Sequence, residues 1–157
     1  MKPKVYLETT IPSLLTARPS QQAIVAANQE VTKEWWQTRR EQFELYVSEL
    51  VLEESKQGDP QFAAARLKAM DECTVLTAID EAQMLGDSIL AAGLVPAKAA
   101  ADAFHIAIAA VHQMDVLLTW NCRHMANAMI ATRLREVCEA SGCRLPVLCT
   151  PFELMIG

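Results

Sequence analysis

The run AAADAFHIAIAAVHQMDVLLTWN (residues 99–121) is strongly apolar, yet it carries Asp102, His105, His112 and, at its end, Asn121. A carboxylate buried without a partner is costly, so Asp102 is either half of an ion pair or part of a site. On a helix, Lys98, Asp102, His105, Ala109 and His112 recur at intervals of four, three, four and three, which places them on one stripe. The simplest reading is a solvated edge with a Lys98–Asp102 pair, worth about 0.2–0.5 kcal/mol. A second is zinc, since His105, His112, His124 and Cys122 are all ligand types. His105 and His112 are two turns apart, however, and the one-turn spacing of a helical zinc pair is missing. Further polar and acidic groups stand elsewhere: Glu8 before Thr9 and Thr10, Glu53 and Glu54 after Ser48, and Thr119 before Asn121.

These residues need elements to bring them together. KVYLE (4–8), FELYVS (43–48), CTVLT (73–77), DVLLT (115–119) and PVLCT (146–150) read as short apolar strands. TTIPS reads as a turn, and residues 20–41 as a helical stretch in one or two pieces. Ser48 is suited to cap a helix over 49–57 that Gly58 ends, and Asp59-Pro60 opens another. Asp80 and Gln83 have the spacing of a capping box for a helix over 81–92 ended by Gly93. Pro96 begins the long helix to about Gln113, and residues 123–141 read as an interrupted helix, with PFELM closing the chain. Strands alternating with helices predict an α/β fold, a three-layer α/β/α sandwich around a mainly parallel sheet of four to five strands. In such sheets ligands gather beyond the carboxyl ends of the strands. Glu8, the Ser48–Glu54 segment, Asp102 and Asn121 then meet at one expected edge.

Composition narrows the class. The 157 residues are 52% hydrophobic with five glycines and seven prolines, which predicts one ordered domain spanning 1–157. MKPKVYLETT has only three apolar residues in a row and does not read as a signal peptide. Residues 88–111 are apolar, but Pro96, Lys98, Asp102 and His105 interrupt them, so no membrane span is expected. The five cysteines form no C-x-x-C pair, which argues against a disulfide framework and against a zinc knuckle. The expected location is the cytoplasm. A net charge of −5 argues against nonspecific coating of nucleic acid, but it is compatible with a nuclease whose metal site is itself acidic.

The order YLETT, VSELVLEES, AADAFHIAIA and LLTWN, with Cys149-Thr150-Pro151 after the last strand, resembles the PIN-domain family. That family comprises metal-dependent ribonucleases and includes the VapC toxins of toxin–antitoxin pairs. Each piece is weak alone, but together they span nearly the whole chain in the family's order. The resemblance places the four catalytic positions on Glu8, Glu54, Asp102 and Asn121. The offset of six residues from Ser48 favours Glu54 over Glu53. Two positions depart from the commonest pattern: Glu8 adds a methylene to an aspartate, and Asn121 keeps a carbonyl oxygen but loses a charge.

The resemblance implies that Glu8, Glu54 and Asp102 hold one Mg²⁺ or Mn²⁺, with waters completing the shell. A cation held by hard oxygen ligands supplies both an activated water and charge neutralisation for phosphodiester hydrolysis. Asn121 acts through water or on the phosphate, while Thr9, Thr10, Ser48 and Thr119 orient ligands. His105 reads as a supporting residue, and Arg123 and His124 as candidate RNA contacts. Without metal, the clustered acids predict a raised carboxyl pKa. Implied partners are an RNA substrate, a small antitoxin protein and a second copy of the chain in a homodimer. Two alternatives stand beside the nuclease. One is a PIN-like RNA- or protein-binding module with attenuated catalysis, motivated by Glu8 and Asn121. The other is a phosphatase-like hydrolase with a strand-end acid nucleophile, disfavoured by the absence of a phosphate-cradling glycine loop.

Overall fold

The computed structural model describes residues 1–155. Five strands, β1 (Lys4–Leu7), β2 (Glu44–Ser48), β3 (Thr74–Leu76), β4 (Val116–Leu118) and β5 (Val147–Cys149), form one sheet in the order β3-β2-β1-β4-β5. Every neighbouring pair is parallel. β1 is central, and its Val5, Tyr6 and Leu7 are fully buried, as expected of a strand covered on both faces. The edge strands β3 and β5 are three residues long and leave Val75 and Val147 partly exposed. Short edges limit unwanted pairing with another chain.

The chain leaves β1 for β2 and β3, then returns past β1 to β4 and β5. Right-handed crossovers place the connections of the first two moves on one face and those of the last two on the other. The packing agrees. On one face α1 (Thr10–Thr16) packs against α2 (Ala23–Thr38) and α4 (Pro60–Ala69), and α3 (Glu49–Ser55) packs against α4. On the other, α5 (Asp80–Ala91) packs against α6 (Ala100–Val111) and α7 (Ala128–Ala140). The direction reverses between β1 and β4, which makes a switch point of the kind where ligands collect. Glu8 follows β1 there, and Thr119–Asn121 follow β4.

Local signals explain most boundaries. The Ser48 hydroxyl accepts the Val51 N–H (3.2 Å) and caps α3. Asp59 accepts the Gln61 N–H (2.8 Å) and caps α4, with Pro60 in its first turn. Gly58, at φ +84°, supplies the left-handed turn between them.

Other expectations need correction. TTIPS is not a turn, because α1 begins at Thr10. Pro12 sits in the first helical turn, where an N–H has no intrahelical acceptor and its loss is harmless. The 20–41 stretch resolves into α2 and a 3₁₀ turn at Arg40–Gln42. No Asp80–Gln83 capping box forms. Ile79 is the cap, without a side-chain bond, and Asp80 already lies in the first turn, near the positive end of the helix. α6 is shorter than expected, with residues 97–99 in a 3₁₀ turn before it and Gln113 at φ +60° after it. α7 begins only at Ala128, where Asn127 accepts the Met129 N–H (2.9 Å). The last described element is a 3₁₀ turn at Pro151–Leu154, opened by a Thr150–Glu153 capping box.

Candidate metal centre

The sheet ladder continues one residue past β1, as the Glu8 N–H donates to the Leu118 carbonyl (3.0 Å). The Glu8 side chain is therefore anchored at the switch point, and the residue is only 5% exposed. Its Oε1 accepts two hydroxyl bonds, from Thr10 (2.6 Å) and Thr119 (2.6 Å). Thr119 also accepts the Asn121 N–H, and Thr10 accepts the Trp120 N–H (both 2.9 Å). The two threonines thus tie the end of β1 to the end of β4.

Glu54 projects from α3 toward the same edge. Its Oε1 accepts the Thr9 hydroxyl (2.5 Å) and lies 2.6 Å from His105 Nε2 on α6. Glu53 instead pairs with Lys56 at 3.0 Å on the surface, so the two adjacent acids have separate fates. Glu8, Glu54 and His105 each offer a ligand atom, and these atoms lie within 4.8 Å of one another. Among the described residues this is the one such group of three. Burial pushes the Glu54 carboxyl up, but its contacts with His105 and the Thr9 hydroxyl outweigh it and hold it below the ordinary carboxylate range. For Glu54 the repulsive rise expected of a bare acid cluster is therefore reversed by its own partners.

Asp102 sits on α6, one turn before His105. Its Oδ2 accepts the Asn121 Nδ2–H (3.1 Å) and lies 2.8 Å from His124 Nδ1. Asn121 Oδ1 accepts the backbone N–H groups of Arg123 (3.1 Å) and His124 (3.0 Å). The Asn121 amide is thus engaged at both ends, and it shapes the loop that carries His124 toward Asp102. Arg123 is exposed beside this loop.

One pattern unites the three acids. In each, one oxygen receives two donors: Thr10 and Thr119 on Glu8, Thr9 and His105 on Glu54, Asn121 and His124 on Asp102. Among the described residues the other oxygen of each acid has no protein hydrogen-bond donor. Glu8 and Glu54 so oriented offer hard anionic atoms of the kind that suit Mg²⁺ or Mn²⁺, while Asp102, bonded to Asn121 and His124, stands outside the group whose ligand atoms lie within 4.8 Å of one another.

The stripe that sequence spacing drew along the helix does not survive as a solvated edge. His105 and Ala109 are wholly buried, and His112 leaves the group to donate Nε2–H to the Thr77 carbonyl (2.8 Å). Lys98 lies in the 3₁₀ turn ahead of α6, and the Asp102 carboxylate is bonded to His124 and Asn121 instead. The zinc set of His105, His112, His124 and Cys122 does not converge among the described residues. Trp35 is core, stacked on Phe43 at 5.7 Å, and Arg40 lies over the Trp36 ring at 4.8 Å.

Sequence reasoning missed Tyr6. Its hydroxyl, fully buried, lies 2.7 Å from His105 Nδ1 and 2.8 Å from Ser48 Oγ. Burial raises its phenol far above the ordinary value, so it stays protonated. A tyrosine inside an apolar strand carries no polar signal of its own. Only the parallel register, which sets β1 beside β2, brings Tyr6 near Ser48.

Comparison with known proteins gives a likeness of fold. No protein-family model matches the sequence, and no curated protein matches it significantly. Among solved structures the chain is similar to a chain in the crystal structure of VapBC2 from Rickettsia felis bound to a DNA fragment from their promoter. The match covers 93% of this chain and 96% of that one, at 14% identity and a TM-score of 0.51. An architecture held in common over nearly the full length of both chains, with few shared residues, is what the comparison establishes.

Proposed function

We propose that the protein is a Mg²⁺- or Mn²⁺-dependent endoribonuclease, the toxin of a VapBC-type pair. The observation that carries this reading is the pair of carboxylates Glu8 and Glu54, each oriented through one oxygen and gathered with His105 at the switch point of a parallel sheet. The fold shared with a chain of a VapBC complex supports it. In this reading Glu8, Glu54 and Asp102 hold the cation. The bound ion supplies charge neutralisation and an activated water for phosphodiester hydrolysis. Thr9, Thr10 and Thr119 keep the acids in place, and Asn121 positions Asp102 and the loop after β4. Arg123 is the exposed cation nearest the site in sequence, suited to an RNA phosphate, with His124 beside it. The reading implies an RNA substrate, a small antitoxin protein as partner, a homodimer and a cytoplasmic location. No helix among the described residues is long and apolar enough to cross a membrane.

A second reading, a PIN-like module that binds RNA or protein with attenuated catalysis, is favoured by one observation. Both ends of the Asn121 amide are occupied by protein groups, which leaves three acids and no fourth oxygen from this position. Incubation of a mixed RNA pool with the protein, with Mn²⁺ or with chelator, separates the two. The nuclease reading expects metal-dependent cleavage that Asp102→Asn abolishes. Metal-independent RNA retention without cleavage would install the binding module instead.

A further inference from the structure

Resting on the reading that Glu8 and Glu54 hold a divalent cation, we propose that His105 is not a ligand of that cation. It is a positioning residue, which keeps a proton on Nε2 and directs it at Glu54. The centre is thereby kept an all-oxygen site. Proximity alone suggests otherwise, since the imidazole and both acids each offer a ligand atom within 4.8 Å of the others.

The hydrogens along these contacts can be counted. His105 Nε2 and Glu54 Oε1 are 2.6 Å apart, a separation that requires a proton between them. Which of the two atoms carries it follows from what the other ring nitrogen does. At the other end, Ser48 Oγ accepts the Val51 N–H (3.2 Å). Ser48 is fully buried, and its own hydrogen has one available acceptor, the Tyr6 oxygen at 2.8 Å. Tyr6, which then accepts from Ser48, donates to His105 Nδ1 at 2.7 Å. Val51, Ser48, Tyr6, His105 and Glu54 form a chain running in one direction, in which every donor finds an acceptor. Reversing it would leave the Ser48 hydrogen buried and unpaired, which is unfavourable. An imidazole that accepts at Nδ1 carries its hydrogen on Nε2, where it meets Glu54.

The pattern across the site agrees. His105 is to Glu54 what Thr119 is to Glu8, the second donor on an oxygen already held by a threonine. A site in which imidazole serves as donor, with only oxygens facing the ion, favours hard cations. The same histidine as ligand would favour zinc and its neighbours.

Nitrogen-15 NMR of the histidine rings in the metal-free wild type at neutral pH reads the proton directly. The expected result is a hydrogen on Nε2 and none on Nδ1 of His105, unchanged when Mg²⁺ is added. A bare Nε2, or one that loses its hydrogen as Mg²⁺ binds, overturns the proposal. A calorimetric Mg²⁺ titration of His105→Gln and His105→Ala gives a second readout. Glutamine can still donate to Glu54 and should keep the affinity within about threefold, whereas alanine should lose about 10–100-fold. Equal losses in both variants contradict a donor role. Should the wild type bind no Mg²⁺, the cation reading fails, and the NMR result still decides the state of His105.

Discussion

At the scale of residues, the site consists of carboxylates whose free energy depends on their donors. The Glu54 carboxyl has a lower pKa in the folded protein than in the unfolded chain. Its contribution to stability is therefore complete above the unfolded value of about 4.3, and it is lost as pH falls through the folded value. Urea unfolding in chelator across the acid range should show wild type exceeding Glu54→Gln by a margin that shrinks below about pH 4. A margin independent of pH contradicts the assignment. Asn121 gives a second test, because its Nδ2–H is a donor to Asp102 (3.1 Å). Asn121→Asp replaces that donor with a second carboxylate, so without metal it should destabilise by about 1–3 kcal/mol. Added Mg²⁺ should restore much of the loss by neutralising the pair. Thermal melts with and without the ion measure both effects, and an Asn121→Asp protein as stable as wild type in chelator is the contrary result.

At the scale of elements, the position of His105 and Asp102 depends on how α6 seats against α5. Gly86 on α5 leaves room for the Phe104 ring of α6, since a Cβ built there would come within 2.3 Å of it. Gly86→Ala should cost about 1–3 kcal/mol by overpacking. Combining it with Phe104→Leu should recover part of that cost, and a double-mutant cycle of denaturant midpoints measures the coupling. Additive effects would mean that the two helices do not meet there. Much of this scale was legible in the chain. Ser48 and Asp59-Pro60 announced their helices through cap chemistry, and the five apolar runs announced the strands. The order of acidic segments singled out Glu8 and Glu54, which the fold brings together. Pro12 was misleading because a proline in a first turn and a proline in a loop leave the same local mark. The grouping within the site was not legible either. Whether His105 or Asp102 faces Glu54 depends on the rotation of α6 against the sheet, which helical spacing alone leaves open. The path from Tyr6 to Ser48 and His105 joins residues 42 and 99 positions apart, a separation no local pattern encodes.

At the scale of the whole molecule, the five free cysteines report on folding. Cys138 and Cys149 are buried, and burial pushes their thiols up to about 11 and about 12, whereas Cys122 is exposed. Alkylation of the native protein followed by peptide mapping should modify Cys122 first, and Cys138 and Cys149 only on unfolding. Early labelling of Cys149 would contradict the packing of β5. The central claim, that the acids at the β1–β4 switch point form a cation site, concerns the native state as a whole, because a ligand that binds only the folded form stabilises it. Thermal unfolding across a Mn²⁺ titration of wild type, Glu8→Gln and Asp102→Ala tests it most directly, without the need to know the RNA. The account predicts a rise for wild type worth roughly 2.7 kcal/mol at about 100 times Kd, and none for either variant. A wild type indifferent to millimolar Mn²⁺, or variants that respond as it does, would contradict the cation site and leave the binding module as the reading to pursue.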